Sequence, residues 1–285
     1  MRAVFTIVPP KTDGSKFMTT RAYHQFLLTL ALALTLISST PAQDAKQPAK
    51  PALYLIGDSI MKTGTGNGEK GPWGWGSEII PLFDPAKITV HNEGRGGRSS
   101  RGFIEEGVWP KIAAQLKPGD FVIVMFGHND AANSANYPDR ISLKGSGDET
   151  KEIVSPKTGQ KITIHTYGWY LQQYVKDAKA KGATTILCSP VPRNTWVDGK
   201  IKRGFDGYAQ WAADAAKASG ALFIDLNTLV SDRYDKLGQK KVAPYFADNQ
   251  HTTKAGALVN AETVVEGLRK LKGCPLSAAL KGATP

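Results

Sequence analysis

Near its carboxyl end the chain reads YFADNQHTTKAGA, which places Asp248 and His251 three residues apart where a loop turns into a helix. A carboxylate beside an imidazole fixes the ring's tautomer and stabilises its charged form, as a general base requires. Many such pairs only brace a loop, so this one gains catalytic meaning from a nucleophile. The first apolar run supplies a candidate: it ends in GDSIM, so Ser59 follows a buried strand and precedes a turn into helix. A hydroxyl there sits at the sheet edge beside the positive end of a helix. Ser and Asp are also the usual helix caps, which is the competing reading of this stretch. The frame Gly57-Asp58-Ser59-Ile60-Met61 lacks the second glycine of the α/β-hydrolase elbow, so that fold is disfavoured.

An ester-cleaving serine also needs donors for the oxyanion. The stretch NEGRGGRSSRG (92–102) nearly makes a dinucleotide fingerprint, but Ser99 stands where the third glycine belongs. No nucleotide cofactor is expected. Gly97 instead offers a bare backbone N–H to an anionic atom. Around it, Arg95, Arg98 and Arg101 suit a carboxylate-bearing substrate, with a solvated basic loop as the alternative. In FGHND, the Asn129 amide leaves another apolar run and can donate to an oxyanion; an Asn-Asp turn is the bland reading. Other chemistries find less. Among five histidines there is no HExxH, and there is no cysteine cluster, so no metal is expected. No carboxylate pair of the glycosidase kind stands out, and GTGNGEKG lacks the Gly-Lys-Ser/Thr of a phosphate loop.

Five short apolar runs must position these groups: 53–58, 87–92, 121–127, 184–190 and 221–226. Near-continuous apolarity means burial on both faces, as in parallel strands. Helical patterns lie between and after them, at 75–83, 102–116, 168–182, 206–220 and 254–272. The alternation predicts a doubly wound α/β fold with a five-stranded parallel sheet and helices on both faces. Ligands in such folds bind beyond the carboxyl ends of the strands, where Ser59, Gly97 and Asn129 fall. Two insertions interrupt the pattern: 131–167, where SPKTGQ between β-like runs predicts a hairpin, and an irregular stretch at 231–246.

Residues 25–42 carry a roughly dozen-residue apolar run and a small residue at Ala42, the pattern of a secretory leader rather than a membrane span. The expected organisation is a leader over 1–42 with a start at Met18 as an alternative, a linker over 43–51, and one catalytic domain over 52–280. An exported protein with no stable membrane span follows from this reading. The whole chain carries a formal charge of +11; residues 1–42 hold four basic and one acidic residue, so the remainder carries +8. That excess favours polyanions or simply solubility. No aromatic-interleaved basic stripe is present, so nucleic acid is not the expected partner. Cys188 lies in a strand-like run and reads as a free core thiol, although export would permit a bridge to Cys274.

Taken together, GDS, NEGRGGRS, GHND and DNQH resemble the four signature blocks of the SGNH or GDSL hydrolase superfamily, in order and over nearly the whole mature chain. GRSSR (97–101), FGHND and the Trp75-Gly76 pair look most like the rhamnogalacturonan acetylesterases within it. The resemblance implies a flavodoxin-like three-layer α/β/α fold and a serine esterase of cell-wall polysaccharide. It implies Ser59 as nucleophile, His251 as base, Asp248 as its orienting partner, and an oxyanion hole of the Ser59 and Gly97 amides with the Asn129 side chain. Acetylated pectin is the first substrate it suggests, with Arg98 and Arg101 as binding groups. Acetylxylan, or a non-catalytic carbohydrate-binding role, are the alternatives. The 131–167 insert departs from the family pattern and bears on the substrate cleft.

Overall fold

The computed structural model describes residues 50–62, 72–131, 138–155 and 157–283. The expected leader, and all but the last two residues of the expected linker, lie outside the described residues. In chain order the strands are β1 (Ala52–Gly57), β2 (Thr89–Asn92), β3 (Phe121–Met125), the hairpin β4 (Thr150–Val154) and β5 (Lys161–His165), β6 (Thr184–Cys188), a short ribbon of β7 (Trp196–Val197) and β8 (Lys200–Ile201), and β9 (Leu222–Ile224). β2, β1, β3, β6 and β9 form one sheet in that order, every neighbouring pair parallel. The chain moves outward from β1 to β2 and then crosses back to β3. The order therefore reverses between β1 and β3, opening a crevice beyond their carboxyl ends.

The period of two along each strand divides the core. Leu53 and Leu55 of β1, Ile123 and Met125 of β3, and Ile186 of β6 face one side. They pack there against Leu226 and Val230 of α5 (Leu226–Leu237) and Val264 and Leu268 of α7 (Lys254–Lys270). Tyr54, Ile56, Val122, Val124 and Leu187 face the other side. Their partners are Phe103 of α1 (Ser100–Glu105), Trp109 of α2 (Val108–Ala113), Tyr174 of α3 (Tyr167–Ala180) and Ala212 of α4 (Tyr208–Ser219). The result is the expected three-layer α/β/α fold around a five-stranded parallel sheet. The hairpin expected around SPKTGQ is also present, with β4 and β5 antiparallel. Cys188 and Cys274 are both free and buried, and burial pushes the Cys188 thiol up to about 12.

Three local expectations are corrected. The single helix expected over 102–116 is two helices, because Gly107 between them takes the left-handed conformation at φ 75°. The stretch expected to be irregular at 231–246 is largely helical. Asp225 caps α5 by accepting from the Thr228 N–H at 3.2 Å, and Leu226, Val230 and Tyr234 recur every four residues as its buried stripe. The short α6 (Gln239–Val242) and a 3₁₀ turn at Ala243–Tyr245 follow.

The helix expected over 75–83 is reduced to a 3₁₀ turn at Ile80–Leu82. Its backbone groups are committed elsewhere: Gly74, Trp75 and Gly76 donate to the carbonyls of Lys62, Ile60 and Met61 at 2.8, 2.9 and 3.0 Å. This short ladder grips the turn that follows β1. Gly74 has no space for a side chain, since a Cβ there would sit 2.2 Å from the Lys62 carbonyl oxygen. Overpacking of this kind costs ~1–3 kcal/mol. Gly74→Ala is expected to lower the urea midpoint accordingly and to impair activity with it; an unchanged midpoint would show that the turn is not held by this ladder.

Candidate active site

Ser59 lies in the turn immediately after β1. No helix follows it among the described residues, in contrast to the expectation of a helix end at this point. A single turn stands in its place, closed by the Lys62 N–H on the Asp58 carbonyl at 3.0 Å. Asp58 is fully buried and shapes that turn: its Oδ1 accepts from the Ile60 N–H at 2.9 Å, and its Oδ2 is 3.3 Å from His128 Nδ1. The other nitrogen of His128, Nε2, lies 3.2 Å from the Val191 carbonyl.

His251 arrives from the far end of the chain, in the loop that leads to Thr253, the N-cap of α7. Trp73 holds this loop in place. Its N–H donates to the Thr252 carbonyl at 2.7 Å, and the Thr252 hydroxyl donates back to the Trp73 carbonyl at 2.7 Å. With His251 so placed, Ser59 Oγ is 2.9 Å from His251 Nε2, and His251 Nδ1 is 2.8 Å from Asp248 Oδ2. The second Asp248 oxygen, Oδ1, accepts the backbone N–H groups of Gln250 and His251 at 2.7 and 2.6 Å. Burial alone would raise the Asp248 carboxyl, but these N–H donors and the imidazole outweigh it and hold the group below the usual aspartate range. An ionised carboxylate on Nδ1 leaves Nε2 as the acceptor for the serine proton.

Gly97 and Asn129 lie in the loops beyond β2 and β3, the two strands that flank β1. Gly97 takes φ 74°, which favours glycine. Among the described residues, neither the Ser59 nor the Gly97 amide has a hydrogen-bond acceptor. Asn129 Nδ2 donates to the Arg98 carbonyl at 3.1 Å and its Oδ1 accepts from Arg140 Nη1 at 3.1 Å. The orientation of the amide is thereby fixed, with its second N–H left for an incoming anion. Asn92 ties this loop to the Ser59 turn, donating to the Met61 carbonyl at 3.2 Å and accepting from the Gly94 N–H at 3.1 Å.

The structure thus brings Ser59, His251 and Asp248 into direct contact, sets Gly97 and Asn129 in the loops beyond the neighbouring strands, and separates the two arginines expected to bind substrate. Arg101 is only 2 % exposed, with Nε 3.2 Å from Glu105 and Nη2 donating to the Asp139 carbonyl at 2.8 Å. It is a buried brace for the insert, which corrects the expectation for this residue. Arg98 stays at the surface, paired with Glu106 at 2.8 Å and bonded to the Gly96 carbonyl at 3.1 Å. Arg140 was missed by the sequence reading. Nothing in its surroundings in the chain marks it, because its link to Asn129 exists only in the folded chain. Among the described residues, no group of three or more His, Cys, Asp or Glu could hold a metal, and no helix is long and apolar enough to cross a membrane.

Beneath the site, Asp130 is buried against the Ser100 hydroxyl at 2.5 Å and the Ser142 hydroxyl at 3.0 Å. Burial raises its carboxyl to about 6; the Ser100 and Ser142 bonds lower it, and the nearby Asp58 charge adds to the rise. Because the native state holds this proton more tightly than the unfolded chain, its stabilising effect is complete below about pH 4 and is lost as pH rises through about 6. The stability of the wild type relative to Asp130→Asn should therefore fall by up to ~3 kcal/mol between those limits, read by urea unfolding at a series of pH values. A pH-independent difference would mean that Asp130 titrates alike in both states. For Asn129, the expected oxyanion donor, Asn129→Ala should lower kcat by ~10²–10³. A variant within tenfold of wild type would remove the Asn129 amide from the site.

A family model described as GDSL-like Lipase/Acylhydrolase matches residues 55–258. A rhamnogalacturonan acetylesterase of Emericella nidulans is 30 % identical over 239 residues, which is 84 % of this chain and 91 % of that protein. A probable rhamnogalacturonan acetylesterase of Bacillus subtilis is 33 % identical over 234 residues, covering 80 % and 96 %. Among solved structures, an acetylxylan esterase of Geobacillus stearothermophilus superposes with a TM-score of 0.53 at 22 % identity, covering 76 % of this chain and 93 % of that one, a likeness of fold.

Proposed function

The chain belongs to the GDSL-like lipase/acylhydrolase family, and from that premise we propose that it is an exported serine esterase removing acetyl groups from plant cell-wall polysaccharide, acetylated rhamnogalacturonan foremost. The observation that carries the chemistry is the continuous relay from Ser59 Oγ through His251 to Asp248, at 2.9 and 2.8 Å. Export rests on the apolar stretch at residues 25–42.

In this reading His251 Nε2 takes the Ser59 proton as Oγ bonds to the acetyl carbonyl carbon. The negative charge that develops on the carbonyl oxygen is held by the Ser59 and Gly97 amides and by Asn129. The C–O bond to the glycan then breaks, His251 returns its proton to the departing sugar oxygen, and Ser59 is left acetylated. Water, deprotonated by His251, attacks the acetyl carbon, and acetate leaves as Ser59 recovers its proton. Asp248 remains ionised throughout and stabilises the imidazolium formed in each half-reaction. Its side chain is 52 % exposed and that of His251 is 26 % exposed. The relay therefore lies at the surface, where a side group of a long polymer can reach it.

The experiment is acetate release from acetylated rhamnogalacturonan and from acetylated xylan by the wild type and by Ser59→Ala. Release from the acidic polymer, abolished by the substitution, is the expected result. Release from xylan alone would keep the mechanism and remove the pectic substrate. Failure on both polymers and on an aryl acetate would overturn the esterase reading.

A further inference from the structure

A polymer that carries carboxylates needs a cation near the nucleophile, and Arg98 and Arg101 are committed to Glu106 and to the fold. Arg193, in the loop after β6, is placed differently. It is partly buried, its Nε donates to Gln250 Oε1 at 3.2 Å, and its guanidinium carbon lies 4.5 Å from the centre of the Phe205 ring. Among the described residues, no carboxylate lies within ion-pair distance of it, although the nearby Asp206 carboxyl, held below the usual range chiefly by its Lys202 bond, is lowered further by the Arg193 charge. With Nε occupied and one face on an aromatic ring, its two Nη groups remain to meet a carboxylate as a planar fork.

Two routes of contact lead from Ser59 to this residue. Along one, Ser59 bonds to His251, and Gln250 next to it holds Arg193. Along the other, Asp58 next to Ser59 reaches His128, whose ring packs edge-on against Phe205 with centres 4.6 Å apart. The Arg193–Phe205 pair closes a ring of contacts that begins and ends at the nucleophile. A cavity of about 70 Å³ opens beside it, lined also by Thr195, Lys202, Arg203 and Asp206. The other charges of that lining are already matched: Lys202 with Asp206 at 2.8 Å, and Arg203 with Asp232 and Asp235 at 2.8 and 2.7 Å.

The backbone here is shaped at a cost. Phe205 and Asp206 both lie in the left-handed region, at φ 48° and 54°, which non-glycine residues adopt rarely and under strain. Asn227, 1 % exposed, braces the two loops by donating to the Pro190 carbonyl at 2.7 Å and accepting from the Gly204 N–H at 2.8 Å.

We propose that Arg193, stacked on Phe205, is a carboxylate-binding subsite that receives an acidic sugar next to the acetylated one and so selects an acidic over a neutral glycan. The inference rests on the acidic-polysaccharide reading above. The test compares wild type, Arg193→Gln and Arg193→Lys on acetylated rhamnogalacturonan oligosaccharides, the same oligosaccharides with their carboxyls reduced to alcohols, acetylated xylan, and an aryl acetate. Loss of a charge-assisted contact should raise KM of Arg193→Gln on the acidic substrate ~10–100-fold. Its kinetics on the other three should stay within about twofold, with Arg193→Lys intermediate on the acidic substrate. Wild type acting on the carboxyl-reduced substrate should resemble Arg193→Gln acting on the acidic one, a check that does not depend on the variant folding. An unchanged KM on the acidic substrate, or an equal loss on all four, would overturn the subsite while leaving the esterase intact. A wild type that cleaves the aryl acetate but not the acidic substrate would overturn the acidic-glycan reading itself, and the subsite with it.

Discussion

The two hydrogen bonds between Trp73 and Thr252 are the constraint on which the site depends. Ser59 and His251 are 192 residues apart in sequence and belong to no common element. Thr252 fixes the histidine loop to Trp73, and the next three residues are bonded to the turn that carries Ser59. A deviation of about 1 Å is enough to lose much of a proton transfer, so a backbone link between the two loops is worth more than the sum of its bonds. The Thr252 hydroxyl is buried, and its loss would leave the Trp73 carbonyl without that donor.

Around this link the fold separates two tasks. The sheet order places Ser59 and Asn129 just beyond the carboxyl ends of adjacent strands at the reversal point, so both follow the most buried strands of the sheet. The polar groups that orient them lie beneath: Asp58 shapes the serine turn, Arg140 fixes the Asn129 amide, and Asp130 anchors the start of α1 through the Ser100 N–H and hydroxyl. The Asp248 carboxylate beside His251, in contrast, stays near solvent. At Asp248 the desolvation that would raise the carboxyl is outweighed by the Gln250 and His251 N–H donors and the imidazole, whereas at Asp130 burial prevails over the Ser100 and Ser142 bonds.

Much of this was legible in the sequence, for physical reasons that differ by feature. The strands were plain because burial on both faces leaves unbroken apolar runs, and Ser59, Gly97, Asn129, Asp248 and His251 stood out because each falls just beyond such a run or just before the last helix. Helices whose stripe is diluted by polar residues were harder to see: α5 reads as irregular until Leu226, Val230 and Tyr234 are seen to share a face. Residues 75–83 carry a helical pattern, but Gly74 to Gly76 pair with another loop, a tertiary preference that local periodicity does not contain. The arginines show the same limit most clearly. Arg98 and Arg101 are marked by their neighbours in the chain, yet they are paired or buried, while Arg140 and Arg193 reach the site through loops that only the folded chain brings near.

The most direct test of the account is where the acetyl group resides during turnover. Wild-type enzyme mixed with an aryl acetate, quenched in acid within the first turnover, and digested for peptide mass mapping should carry one acetyl group on the peptide containing Ser59, on the hydroxyl of that residue. A burst of released phenol with no acetyl on that peptide, or with the acetyl on another side chain, would contradict a covalent mechanism through Ser59.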